Sequence, residues 1–276
     1  MATFIEETRD PKNTLIVDAL NLAFRWKHSG NFYNMQDDYL GTIRSLAKSY
    51  DCGKIIVTAD GGSSKWRLEK FPAYKKARRE KAKSQTEQEQ KEFQDFFKEY
   101  DDCLKYIDTK KDVHVIKYSG VEADDLATYI VDNKYDLDIN DIWLISSDKD
   151  WDLLLEEDVS RFSTVTRTEV TYFNWPYPVS QEYYMDFQVL VGDSDVPGIH
   201  GIGPVRATQI IEQYGGIYDI YSQMPLPGAS KWVQNLNQFG EELLLFAELM
   251  DFRTHYKDAI GEYLPQLQDK LKGIYK

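Results

Sequence analysis

Thr14–Asp18 reads TLIVD and Lys54–Asp60 reads KIIVTAD: two short apolar runs, each closing on an aspartate. Runs of this length, rich in β-branched residues, favour buried strands. Asp141–Ser146 (DIWLIS) is a third, followed at once by Ser147 and Asp148, and Val113–Lys117 is a fourth. Helical periodicity fills the intervals, notably Tyr39–Ser49 and Ala123–Val131. Strands alternating with helices predict an α/β fold with a mainly parallel central sheet flanked by helices. Ligands in such sheets collect at the C-terminal ends of the strands, where three of these four runs meet an acid.

Beyond about residue 180 the strand patterns stop, and a helical pattern follows with Gly and Pro punctuation at 192–204 and 225–228. The chain therefore divides into 1–180 and 181–276. Its 276 residues suffice for a large core, and 42% hydrophobic with 29% charged residues is ordinary for a globular enzyme. Met1–Asn13 lacks the apolar stretch of a signal peptide, and no run approaches a membrane span. Cys52 and Cys103 follow no ligand spacing and are expected as free thiols in a reducing cytosol.

The net charge of −13 argues superficially against a polyanionic partner. Its distribution argues the other way: Lys65–Lys83 holds nine basic and two acidic residues, a local +7 that leaves −20 on the rest. A solvated basic helix with no partner would look the same. Residues 72–100 then pass from basic to Gln/Glu-rich (SQTEQEQKE, 84–92) and into an amphipathic helix with Phe93, Phe96 and Phe97. A long polar insertion of this kind is usually functional or mobile.

The acids that the topology would gather are Asp18, Asp60, Glu122, Asp124, Asp125, Asp148, Asp150, Asp193 and Asp195. Each has a structural alternative. Glu122–Asp125 could simply favour a helix dipole, Asp148 could cap the turn at Trp151–Leu155, and Asp193 could be a loop acid. Taken together, so many anions at one sheet edge would repel unless a cation sat among them. An all-oxygen donor set without Cys/His spacing suits Mg²⁺ or Mn²⁺, and two such ions can clamp a phosphodiester. Helical spacing sets Glu122 and Asp125 on one side, with Asp124 pointing away. No Walker loop is present.

Residues 195–207, DVPGIHGIGPVRA, form the sharpest local signal. Gly201 and Gly203 permit a tight turn around Ile202 as a buried plug, and Pro204 suits a first helical position. Amides at such a helix N-terminus face outward as a phosphate site, gripping a nucleic-acid backbone without reading sequence. An ordinary helix–helix turn is the alternative.

With these residues in view, the chain resembles the phage-encoded branch of the 5′-nuclease (flap endonuclease and 5′–3′ exonuclease) family. The likeness rests on LIVDALNLAFRWK (15–27), LEKFPAYKKARREK (68–81), GVEADDLATYIV (120–131), WLISSDKDWDLL (143–154), VSRFS (159–163) and GIHGIGPVRATQII (198–211). It implies a PIN-like nuclease core over 1–180, a helical arch at about 72–100, and a C-terminal helix–three-turn–helix region that holds duplex. It also implies a metal site at Asp18, Asp60, Glu122, Asp124, Asp125, Asp148, Asp150 and Asp193. Lys75 falls where these enzymes carry a catalytic lysine, and Arg78, one turn on, where an arginine holds the scissile phosphate. Arg25, Lys27, Tyr74, Lys76, Arg79, Gly201, Ile202, Gly203 and Arg206 are the implied DNA contacts, with K⁺ at the hairpin.

The implied activity is divalent-metal hydrolysis of DNA near single-strand/duplex junctions by a monomer in DNA replication or repair, leaving 5′-phosphate and 3′-hydroxyl ends. The substrates would be 5′ flaps or 5′ single-stranded ends. Nothing identifiable reads a ribose 2′-hydroxyl, so RNA–DNA primers stay open as partners.

Two departures stand out. The second acidic pair is one residue shorter than the family's, Asp193-Ser194-Asp195, leaving Asp195 as the nearest acid for the second seat. Val205 replaces one of two adjacent basic residues, leaving Arg206. Two rival readings fit parts of the sequence. A non-catalytic DNA-binding module would keep the acids as caps. A small-phosphoester hydrolase with Asp18 as nucleophile would want a second Asp where Leu20 stands. Trp66, Phe71 and Tyr74 have faces that could stack bases, although core packing suits Trp66 and Phe71 better. His28, His114, His200 and His255 lack partners at motif spacing, with His200 near a phosphate at most.

Overall fold

The computed structural model describes residues 9–193 and 196–276. Asp195 therefore lies outside the described residues. The strands are β1 (Asp10–Asp18), β2 (Cys52–Ala59), β3 (Val113–Lys117), β4 (Ile142–Ile145), β5 (Val159–Ser163) and β6 (Thr168–Val170). They form one sheet in the order β3-β2-β1-β4-β5-β6. The first five are parallel, and β6 returns antiparallel on β5. The expected mainly parallel α/β sheet is what forms. Strand order reverses direction between β1 and β4, and in open α/β sheets the crevice at that switch point is where ligands bind.

The helices are α1 (Ala19–Ser29), α2 (Gln36–Ser49), α3 (Lys65–Lys70), α4 (Lys76–Lys83), α5 (Glu87–Asp108), α6 (Ala123–Asp132), α7 (Tyr184–Val191), α8 (Pro204–Tyr214), α9 (Ile217–Ser222), α10 (Lys231–Met250), α11 (Phe252–Ile260) and α12 (Leu264–Tyr275). Alternate strand residues face opposite ways, so the sheet is buried on both sides, as parallel sheets are. Leu15, Val17, Ile55, Val57 and Val115 join a core with residues of α1, α2 and α5. Ile16, Ile56, Ile116 and Leu144 join another with α6 and α12.

The chain forms two compact units: residues 1–64, 86–174 and 256–276 make the first, and residues 65–85 and 175–255 the second. The segment expected as an arch is shared out, α4 to the second unit and α5 to the first. Thr86 ends the intervening turn and caps α5 through a reciprocal pair with Glu89. The β5–β6 hairpin was not foreseen from the sequence. Among the described residues no helix is long and apolar enough to cross a membrane.

Candidate active site

Three neighbouring strands of the first unit deliver an acid at or just beyond their C-terminal ends. Asp18 closes β1, Asp60 follows β2, and Asp148 follows β4 across Ser146 and Ser147. β1 pairs with both others, Val17 opposite Val57 on one side and Ile145 on the other. Adjacent strands lie about 4.8 Å apart, so the register alone brings these three acids together.

Glycine geometry adds the next group. The Gly61 amide donates to Val121 O at 2.9 Å, and Gly120 donates to Gly61 O at 2.9 Å. A Cβ on Gly61 would lie 1.7 Å from Tyr118 O, so only glycine permits this crossing of the loops after β2 and β3. The crossing carries Asp60 to the start of α6, where its Oδ1 accepts from the Ala123 amide at 2.7 Å. Glu122, 1% exposed, accepts from the Ser64 amide at 3.2 Å. Asp125 is fully buried. Asp124 turns toward the 3₁₀ turn after β4 and accepts from Trp151 Nε1 at 2.5 Å. Of the three, Glu122 and Asp125 are buried, and Asp124 is the one that meets the turn after β4.

Ser146 ties two strand ends together. Its hydroxyl donates to Asp18 Oδ2 at 2.8 Å and accepts from the Asp148 amide at 3.1 Å. Asp18 also caps α1, accepting from the Asn21 amide at 3.1 Å, and Asn21 Oδ1 accepts from the Ser147 amide at 3.0 Å. Asp148 caps the 3₁₀ turn by accepting from the Asp150 amide at 3.1 Å, so its capping alternative is real. Behind these groups Arg161 donates to both carboxylate oxygens of fully buried Asp152 and, at 3.0 Å, to Ser146 O. The sequence assigned no role to Ser146, Asn21, Gly61, Asp152 or Arg161, although all but Gly61 lie within the blocks LIVDALNLAFRWK, WLISSDKDWDLL and VSRFS.

The electrostatics fit a cation. Burial raises the Asp18 carboxyl to about 7, with further upward pushes from Asp60 and Asp148 against the pull of the Asn21 amide and the Ser146 hydroxyl. A nearby cation would reverse that push. The donors are carboxylate oxygens, as Mg²⁺ and Mn²⁺ prefer. Among the described residues, no three Asp, Glu, His or Cys side chains converge as a preformed ligand cage.

The second unit holds Asp193, exposed, whose Oδ1 accepts from the Val196 amide at 2.8 Å. Its loop rests on a close approach: a Cβ on Gly192 would meet Gly198 N at 2.0 Å, and one on Gly198 would meet Val191 O at 2.0 Å. The hairpin forms as expected. Gly201 is left-handed (φ +89°), Ile202 is 5% exposed, and Gly203 precedes Pro204 at the first position of α8. Arg206 closes the turn by donating to Gly201 O at 2.7 Å, with its guanidinium 5.5 Å from the Trp232 ring centre.

Lys75 adopts a left-handed backbone (φ +54°) just before α4, an uncommon and costly state for a lysine. Lys76 and Arg78 are exposed. Arg79 donates to the carbonyls of Pro72 and Tyr74, bracing that turn. Tyr74 is only 5% exposed, with the Lys75 ammonium 5.1 Å from its ring centre, so the ring offers no open face to a base in this structure. Trp66 stacks on His255 and Phe71 meets Phe246 edge-on, the packing roles expected of both. In the first unit Arg25 is exposed, whereas Lys27 pairs with Glu92 at 3.2 Å and covers the Phe93 ring.

Comparison with known proteins agrees with this geometry. A family model described as the 5′–3′ exonuclease N-terminal resolvase-like domain matches residues 13–183, and one described as the 5′–3′ exonuclease C-terminal SAM fold matches 179–268. The flap endonuclease of Escherichia phage T5 is 39% identical over 279 residues, covering 97% of this chain and 94% of that protein. A T5 5′-exonuclease structure with divalent zinc ions bound superposes with a TM-score of 0.89 at 38% identity, covering 96% of this chain and all of the other. A T5 flap endonuclease variant in a pseudo-enzyme–product complex with DNA and metal ions gives 0.88 at 38% identity, covering 95% and 99%. With both halves matched in order and the acids at the switch point of the sheet, this chain belongs to the 5′–3′ exonuclease family, in its flap endonuclease branch.

Proposed function

We propose that the protein is a structure-specific 5′-nuclease that hydrolyses DNA near junctions of single strand and duplex, using Mg²⁺ or Mn²⁺. The observation that carries the reading is that three neighbouring parallel strands end at or just before Asp18, Asp60 and Asp148, with burial first and the neighbouring acids second raising the Asp18 carboxyl to about 7. Bound divalent ions supply Lewis acidity, activating water and stabilising charge on the phosphate. Asp18, Asp60, Glu122, Asp124, Asp125, Asp148 and Asp150 would hold them; a ligand role for Asp193 rests on the family resemblance alone. Ser146 and Arg161 keep the Asp18 and Asp148 segments in register.

Lys75 and Arg78 would neutralise the phosphate oxygens as charge builds. The amides at Gly201–Gly203 would hold the duplex backbone, with or without K⁺, and the segment 72–100 would surround the 5′ strand. Binding of this kind reads shape and weakens steeply with salt. The proposal extends to 5′ flaps as substrates, to action as a monomer, and to a reducing cytosol, in keeping with two buried free thiols.

The test is cleavage of a 5′-labelled flap duplex in Mg²⁺, with a 3′ flap as control. Metal-dependent cutting near the junction of the 5′ flap alone is expected. Equal cutting of both flaps, or cutting undiminished in EDTA, contradicts the reading.

A further inference from the structure

The turn between β5 and β6 has no part in the assignment above. Because β5 runs parallel to β4, and β4 to β1, this turn leaves the sheet at the edge where Asp18 and Asp148 stand. It is fastened there. Ser147, next to Asp148, accepts from Ser163 Oγ at 3.0 Å and from the Val165 amide at 3.3 Å, while its own amide donates to Asn21 of α1 at 3.0 Å. Ser163 Oγ accepts in turn from the Thr166 amide at 3.2 Å, and the Thr166 and Thr168 hydroxyls meet at 2.6 Å.

Arg167 closes this turn. Its amide donates to Ser163 O at 2.9 Å, and its backbone is left-handed (φ +56°). Glycine or asparagine adopts that conformation at least cost, and an arginine is strained in it. Strain kept in a fixed turn points to a use for the side chain. The fold itself makes no such use: the exposed guanidinium has no hydrogen bond, ion pair or ring contact among the described residues. Residues 163–168 read STVTRT, one cation and no acid on a chain of net charge −13. The next residue, Glu169, accepts from the Tyr50 hydroxyl at 3.0 Å. Guanidinium and hydroxyl donors are the groups that grip a phosphodiester backbone.

We propose that the β5–β6 turn is a further DNA-backbone contact, with the Arg167 guanidinium on a phosphate beside the one being cut. The proposal rests on the nuclease reading above. A fixed cation at this edge offsets the repulsion between the acids and the incoming polyanion.

The test is binding of a 5′-flap duplex in Ca²⁺, read by fluorescence anisotropy across about 50 to 200 mM KCl. Arg167→Gln removes the charge and keeps the strained backbone; Arg167→Gly removes both. Each should bind about fivefold more weakly at about 100 mM KCl, with the slope of log affinity against log salt shallower by about 0.9. Tm should match wild type in Arg167→Gln and be equal or higher in Arg167→Gly. Lys12→Gln is the control, the same loss of charge near the opposite end of β1; its affinity and slope should be those of wild type. A wild-type slope in both Arg167 variants overturns the proposal. So does weaker binding in Arg167→Gly alone, or an equal change of slope in Lys12→Gln. Wild-type protein that neither binds nor cuts the flap duplex overturns the nuclease reading with it.

Discussion

The acids of the first unit come from four separate segments, the ends of β1, β2 and β4 and the start of α6, whereas the hairpin of the second is complete within residues 198–206. The first is a tertiary product. It depends on parallel register, on a glycine that lets two loops cross, and on a buried Arg161–Asp152 pair behind them. The second is local: one left-handed glycine, one buried isoleucine and one arginine on a carbonyl. A site that must hold like charges together needs a rigid frame to oppose their repulsion, whereas a backbone grip needs only exposed amides at a helix start. Damage should therefore read out differently in the two regions, as lost turnover and lost stability in one and as lost affinity in the other.

The largest effect is expected at the sheet edge. Asp148→Asn keeps a side-chain oxygen that can cap the 3₁₀ turn but removes the charge. Cleavage should fall at least about a hundredfold, since a metal ion contributes several kcal/mol of charge stabilisation, while DNA affinity in Ca²⁺ changes less than about threefold. Equal losses in both assays would dissolve the contrast between the regions. Next comes the frame. Arg161→Met strands the fully buried Asp152 without its partner, which should destabilise the protein by about 3–5 kcal/mol in urea unfolding. A loss under about 1 kcal/mol would show that the pair does not brace the site.

The cost of charging the buried Asp18 carboxyl beside other acids is measurable. Because the folded-state value of Asp18 is raised from 3.8 to about 7, the folded protein binds that proton more tightly than the unfolded chain. Without metal, stability should fall as pH rises between roughly 4 and 7. The gain in Tm on adding Mg²⁺ should accordingly be larger at pH 8 than at pH 5, and a gain independent of pH would argue against ion binding beside Asp18. The smallest effect belongs to the hairpin. At Gly201 an added Cβ would make only ordinary contact, 3.6 Å from Trp232 Cβ, but the left-handed backbone remains. Gly201→Ala should cost about 1–2 kcal/mol and weaken binding to duplex DNA several-fold, with the rate at saturating DNA unchanged. A fall in that rate instead would extend the site into the hairpin.

The same contrast explains what the sequence revealed. TLIVD and KIIVTAD showed both the strands and the acids closing them, because hydrophobic runs and their boundaries are local. The hairpin was legible down to Ile202 as plug and Pro204 as first helical residue, for the same reason. The frame was not. Nothing local says that Gly61 crosses Tyr118, that Ser146 joins Asp18 to the Asp148 amide, or that Arg161 reaches back to Asp152, since each is a contact between segments made adjacent only by the fold. Tyr74 is the converse: an aromatic beside cations suggests stacking in sequence, yet the folded chain buries its ring. Neither composition nor periodicity reports whether an aromatic face is open.

The most direct test of the central claim is a crystal structure grown with Mn²⁺ and read by anomalous diffraction. Anomalous peaks are predicted among the carboxylates of Asp18, Asp60, Glu122 and Asp148, with their oxygens drawn closer together than in the metal-free protein. Ordered Mn²⁺ elsewhere on the molecule, with no peak among these acids at saturating metal, would contradict the account.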